Sequence, residues 1–280
     1  MANVLPRSKQ LAVLNALIEG TSIRATARMT DVSIPTVLSL LVRVGEACAD
    51  LLDGMLRGLT CSRIECDEIW AFVQKKQKQV RATDDATQVG DAWTFVAFDP
   101  DTKLVASHVV GKRDAATTDA FIADLRTRLS NRVQLTTDGL ALYKGAIADS
   151  FGADGIDYAI LVKEYETEVA GPGRYSPPSV KSIEKIPVFG APEETLVSTS
   201  GVERQNLTMR MQMRRLTRLT NAHSKLLRNH KAATALHFAH YNFVRQHSTI
   251  RCTPAMAAGV ASRAWSMDDL LSAALDGVRP

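Results

Sequence analysis

"SRIECDEIWAFV", residues 62–73, is apolar enough for a strand yet carries Glu65, Asp67 and Glu68 through its middle. Side chains alternate along a strand, so Glu65, Asp67 and Ile69 point one way and Cys66, Glu68 and Trp70 the other. At least one acid therefore faces burial, and an ionised carboxylate out of water needs a positive partner or a wet edge. A bound metal ion would meet that need, and so would the half-exposed face of an ordinary strand.

The runs that follow set the context. "DAWTFVAFDP" (91–100) and "LVASHVVG" (104–111) are short, apolar and separated by polar or Asp-Pro breaks, which predicts an antiparallel meander with the first run. "DAATTDAFIADLRTRLS" (114–130) carries Phe121, Ile122, Leu125 and Leu129 at helical spacing. "RVQLTTDGL" (132–140) reads as a fourth strand ending at Asp138, "ALYKGAIADSF" (141–151) as a short helix and "IDYAILVKEY" (156–165) as a fifth strand. The order β-β-β-α-β-α-β predicts an α/β domain with a five-stranded mixed sheet flanked by helices, strand one central and strand four beside it. Residues 166–200, with Pro172, Pro177, Pro178, Pro187 and Pro192, read as a long loop. "SGVERQNLTMRMQMRRLTRL" (200–219) restarts a helix with Ser200 as cap, and "HKAATALHFAHYNFVRQ" (230–246) continues the helical texture.

Upstream, "KQLAVLNALIEG" (9–20) spaces Leu11, Leu14, Leu17 and Ile18 as a helix that stops at Gly20. A short helix with Ile23 and Ala27 then leads through Asp31 to a longer one, with Ser33 as its N-cap and Pro35 in its first turn. This pattern predicts a helix-turn-helix unit over residues 1–58, ahead of the α/β domain over 59–251 and a C-terminal tail over 252–280. Ser33, Thr36, Ser39 and Arg43 project from its second helix and are the expected groove contacts.

No apolar run reaches membrane-spanning length and "MANVLPRSKQ" lacks the core of a signal peptide, so the expected location is the cytoplasm. Cys48, Cys61, Cys66 and Cys252 have no CxxC spacing and suggest neither a zinc ribbon nor disulfides. The net charge of +4 is unevenly spread: residues 203–251 hold ten Lys and Arg against the single acid Glu203, leaving the rest of the chain net acidic. Such a basic block is the footprint of a polyanionic partner, with nucleic acid first among them. "QKKQKQVR" (74–81) adds a second basic cluster containing Lys75 and Lys76.

With strands one and four adjacent, Asp67 and Asp138 can converge while Glu203 approaches from the helix after the long loop. Three carboxylates so placed repel one another unless cations lie between them. Hard oxygen ligands suit Mg²⁺ or Mn²⁺, and two such ions serve in-line displacement at phosphorus. On that helix Glu203, Asn206, Arg210 and Arg214 recur at three- and four-residue intervals beside an apolar face of Val202, Met209, Met213 and Leu216.

"ECDEIWAFVQKKQKQ" (65–79), "LTTDGLALYKGAI" (135–147) and "SGVERQNLTMRMQMRRLTR" (200–218), with "RQHSTIRCTPAMAAGV" (245–260) after them, resemble the DDE transposases of bacterial insertion sequences, specifically the insertion-sequence-one group. The resemblance spans about residues 8 to 260. It implies a ribonuclease H-like catalytic domain and recognition of double-stranded DNA at the element's terminal inverted repeats and at the target. It also implies a metal-binding triad of Asp67, Asp138 and Glu203, with Arg210 an auxiliary DNA contact. On this reading Asp67 and Glu203 each hold one metal ion and Asp138 bridges both. Members often carry a zinc ribbon before the helix-turn-helix. This chain has no such cysteines, so either the helical unit alone recognises the ends or the chain is a truncated product. Cutting and joining two ends implies a homodimer or larger assembly on DNA, acting at the bacterial nucleoid. The rival expectations are a non-catalytic DNA-binding regulator and a ribonuclease H-like nuclease that cuts without joining.

Overall fold

The computed structural model describes residues 5–166, 179–217, 220–278 and 280. Helices α1 (Arg7–Ile18), α2 (Ile23–Thr30) and α3 (Ile34–Met55) open the chain. Ser22 caps α2 by accepting from the Ala25 amide, and Ser33 caps α3 by accepting from the Thr36 amide, with Pro35 in the first turn where no amide donor is needed. Between them Asp31 adopts a left-handed φ of 52°, a conformation glycine takes most readily and aspartate tolerates. The chain turns through 109° across this break, inside the range of about 90–120° typical of helix-turn-helix units. Among the described residues no single helix is long and apolar enough to cross a membrane.

The sheet follows, built from β1 (Arg63–Val73), β2 (Gly90–Phe98), β3 (Val105–Gly111), β4 (Gln134–Thr137), β5 (Asp157–Glu166) and β6 (Ser179–Phe189) in the spatial order β3-β2-β1-β4-β5-β6. The first three strands form the expected antiparallel meander, and β4 adds parallel to β1 and β5 parallel to β4. α4 (Ala115–Arg128) and α5 (Leu142–Phe151) supply the crossovers. Their buried Phe121, Ile122, Leu125, Tyr143 and Ile147 join Phe95 and Leu135 of the sheet in one core.

The five-strand expectation is corrected to six. β6 lies within the stretch expected to be a loop, pairs antiparallel with β5, and is followed by a 3₁₀ turn at Glu194–Leu196. Of that stretch, residues 167–178 lie outside the described residues. Pro187 can sit in β6 because β6 is an edge strand, whose outward side needs no ladder donor.

α6 (Ser200–Gln212) and α7 (Leu227–Phe243) come next, then α8 (Pro254–Ala257) and α9 (Met267–Asp276) in the C-terminal segment. α9 is anchored through buried Leu270 and Leu271 and through Arg7, which donates to Asp268. α3 and α7 touch backbone to backbone: a Cβ on Gly45 would stand 2.2 Å from the Ala232 carbonyl oxygen, so only glycine permits this crossing.

Candidate functional site

The acids of β1 have three different fates. Glu65 is buried and its Oε2 accepts from the Val202 backbone N–H at 2.9 Å, in the first turn of α6. Unpaired amides and the helix dipole both favour an anion there, although burial still raises the Glu65 carboxyl above its ordinary value. Gly201 makes the approach possible, because a Cβ at that position would lie 2.8 Å from the Phe98 ring and 2.9 Å from Glu65 Oε2. Glu65 is thus the anchor that lays α6 across β1.

Asp67 and Asp138 meet where the parallel ladder ends. The last β1–β4 pair is Cys66 with Thr137, so the next residues on the two strands are these two acids. Asn206 Nδ2, one turn along α6 from Glu203, donates to Asp67 Oδ2 at 2.8 Å, and Asp67 Oδ1 accepts from the Glu68 amide. Asp138 Oδ1 accepts from the Leu140 amide at 3.0 Å, turning the chain away from the strand. Burial, with the Asp138 and Glu203 charges nearby, pushes Asp67 up to about 6.

Glu68 points to the other face of β1, yet one oxygen each from Asp67, Glu68 and Asp138 lies within 4.8 Å of the others. Its side chain is 1% exposed, and Oε2 accepts from Arg113 at 3.1 Å. The Arg113 guanidinium also stands 3.9 Å from Asp138 Oδ2 and packs over the Trp93 ring. Burial, and then the Asp138 and Asp67 charges, push Glu68 up to about 7 against the opposing pull of the Tyr143 hydroxyl and of Arg113. The Glu68 carboxyl and the Tyr143 hydroxyl interact, and Glu68 Oε1 and that hydroxyl are both buried without a hydrogen bond of regular geometry.

Glu203 sits in the first turn of α6, beside the pair but outside that tight group. Its side chain is 45% exposed and ion-paired with Lys163 of β5, and Oε1 accepts from Thr199 Oγ1 at 2.7 Å. The structure therefore brings Asp67 and Asp138 together and leaves Glu203 held by a lysine at the rim. The donor set fits a hard divalent cation: the three carboxylates of Asp67, Glu68 and Asp138 each offer an oxygen to one point, and Asn206 Oδ1 close by is buried and unpartnered.

The other expected contacts separate into groups. Thr36, Ser39 and Arg43 are on α3 and Ser33 is its N-cap, with Arg43 donating to Gln10 at 3.3 Å. Lys76 is exposed, whereas Lys75 donates to both oxygens of Asp84. Arg210 is half-buried in the last turn of α6. Arg214 does not continue the α6 face: the helix ends at Gln212, Met213 is extended, and Arg214 opens a 3₁₀ turn. A cleft of about 790 Å³ lies between the α2–α3 unit and the segment following α6, lined by Arg24, Arg214, Lys225, His223 and His237 among others and by none of Asp67, Glu68, Asp138 and Glu203.

No protein-family model and no curated protein matches the chain. Among solved structures it is similar to "Crystal structure of the Mos1 Strand Transfer Complex", with 18% identity and a TM-score of 0.22, over 56% of this chain and 59% of that one. It is also similar to "Mos1 transposase paired-end complex with left transposon end", with 17% identity and a TM-score of 0.21, over 53% of this chain and 59% of that one. The chain thus spans under two thirds of either, and likeness at these TM-scores carries no weight for fold or function.

Proposed function

We propose that this chain is a DNA transposase of the DDE type, cutting and joining DNA at the ends of a bacterial insertion sequence. The observation that carries the reading is the side-by-side placement of Asp67 and Asp138 at the end of two adjacent parallel strands, with α6 laid across them bearing Glu203. Asp67, Asp138 and Glu203 would hold Mg²⁺ or Mn²⁺. Two such ions supply activation of an attacking oxygen and stabilisation of the leaving one at phosphorus.

The chain's own residues do the rest. Asn206 fixes the rotamer of Asp67, and Glu65 with Gly201 fixes the height of α6 over β1. Lys163 and Arg113 balance the carboxylates, and Lys163 would have to release Glu203 for that carboxylate to help hold a metal ion. The face of α3 bearing Ser33, Thr36, Ser39 and Arg43 would lie in the major groove of the terminal repeat. Lys76, Arg210 and Arg214 would contact phosphates, and Lys75 would do so only on leaving Asp84. Residues 1–58 would form the end-recognition unit and 59–251 the catalytic one. Two protomers would hold two ends.

The test is strand transfer with pre-cut ends of the element in Mg²⁺ or Mn²⁺. Asp67→Asn, Asp138→Asn and Glu203→Gln should each lower joined product by roughly a hundred- to a thousandfold while leaving DNA binding intact. Full activity in any one removes that residue from the triad. Cutting without joining by the natural chain would leave a nuclease, and binding without metal-dependent cutting a regulator.

A further inference from the structure

On the reading just given, Asp67 and Asp138 form a metal centre, and the surroundings of that pair contain a feature the triad does not account for. β4 stops at Thr137, so beyond Cys66 the β4-side edge of β1 has no strand beside it. Glu68 therefore reaches the same point as Asp67 although it leaves β1 on the opposite face, and one of its oxygens falls within 4.8 Å of theirs. Its Oε2 is occupied by Arg113, at 3.1 Å from Nη2 and 3.3 Å from Nε. Its Oε1 is buried, with the Tyr143 hydroxyl nearby but no hydrogen bond of regular geometry.

Arg113 brings a single positive charge against three carboxylates, and its guanidinium is fixed on its other side by the Trp93 face at 4.8 Å. On the α6 side, Asn206 donates to Asp67 with its amide nitrogen and leaves its own Oδ1 buried and unpartnered. Two acceptor oxygens that water does not reach thus flank a carboxylate pair. Buried acceptors short of well-placed donors, next to uncompensated negative charge, are satisfied by a cation with oxygen preference.

We infer that Glu68 is a further inner carboxylate of this centre, joining Asp67 and Asp138 in holding the first divalent ion before Glu203 is recruited. The proposal depends on the Asp67–Asp138 centre and assigns the residue that completes it in the DNA-free protein.

Mn²⁺ binding to the full chain without DNA, followed by calorimetry and by the electron paramagnetic resonance of free Mn²⁺, tests it. Asp67→Asn should abolish the tightest binding event, Glu68→Gln should weaken it by about tenfold or more, and Glu203→Gln should change it by less than about threefold. Arg113→Gln separates ligand from anchor. If Glu68 holds the ion, removing a competing cation leaves Mn²⁺ affinity equal or higher. If Glu68 serves only to place Arg113, Arg113→Gln weakens binding in parallel with Glu68→Gln, and the inference is overturned. Glu68→Gln binding Mn²⁺ like the natural chain while Asp67→Asn does not would also overturn it and leave the Asp67–Asp138 centre standing. Unchanged binding in both Asp67→Asn and Asp138→Asn would remove the centre itself. Should Glu68→Gln fail to fold, Arg113→Gln decides alone by the same criterion.

Discussion

At the β1–β4 edge burial raises Asp67 to about 6 and Glu68 to about 7, whereas inside α7 burial lowers His230 and His237 to about 3. The physics is the same in both places, since low polarity disfavours whichever form is charged. Its consequences differ. An imidazole has a neutral form available at pH 7, so His230, with Nδ1 3.2 Å from the Ser224 hydroxyl, and His237, packed against Tyr241 and Phe238, each bury an unpaired Nε2 that carries no charge. A carboxyl group at pH 8 is ionised even here, so the edge recruits Arg113 and Lys163 and still leaves Glu68 Oε1 unpartnered. The α7 histidines are scaffold, and the acids of the edge keep a demand that folding alone does not meet.

The contrast breaks most easily through acid. A histidine whose folded value lies below its unfolded value of 6.5 contributes stability that is complete above pH 6.5 and is lost as pH falls toward 3. A tenfold change in proton affinity corresponds to roughly 1.4 kcal/mol, so His230 and His237 together should cost on the order of 6 kcal/mol between pH 7 and pH 4. Asp67 and Glu68 work in the opposite sense over the same window, which tempers the slope without reversing it. Urea midpoints at pH 7, 5.5 and 4 check this. His237→Gln should flatten the profile, and an unchanged acid slope in that variant would show that the imidazole is not held neutral by the fold.

A smaller effect sharpens the other half. A carboxyl whose folded value is raised contributes stability that is complete below its unfolded value and is lost as pH rises through the folded one. At pH 8, therefore, the full cost of ionising Asp67 is present in the metal-free protein. Asp67→Asn should raise unfolding stability there by about 2 kcal/mol even as it removes activity. A lower midpoint than that of the natural chain would mean that Asp67 is a structural anchor, as Glu65 is.

This division also decides what can be read from the residues alone. The meander, the crossover helices and the adjacency of strands one and four follow from local periodicity and from the rules of strand connection, and they bring Asp67 and Asp138 together. β6 is illegible because an exposed edge strand has no buried face to impose a two-residue period, and Pro187 masks what pattern remains. Arg214 is misplaced by periodicity because helical spacing continues in the sequence past Met213 while the backbone becomes extended there. The pairing of Lys75 with Asp84 depends on the turn after β1, which residue types alone do not define. Simple alternation assigns Glu68 to the far face. That rule gives the face correctly but not the reach: two residues past the last pair with β4, a long side chain on the far face still brings an oxygen within 4.8 Å of the pair.

The smallest expected effect tests whether the α2–α3 unit stands apart from this electrostatic edge. Ser33 serves both as the cap of α3 and as an exposed candidate for groove contact, and its hydroxyl oxygen accepts from the Thr36 amide and lies 2.8 Å from Thr36 Oγ1. Ser33→Ala removes the cap and the contact together and should cost about 1 kcal/mol of stability. Ser33→Asp keeps the cap, and a negative charge at a helix N-terminus is favourable there, so it should hold stability at the natural level. The same carboxylate would face DNA phosphates and should weaken end binding. Stability and DNA affinity then move independently at one position, as expected if α3 meets nucleic acid through its first turn. Equal DNA affinity in Ser33→Asp and the natural chain would place the groove-reading surface elsewhere on the helical unit, leaving the acid edge untouched.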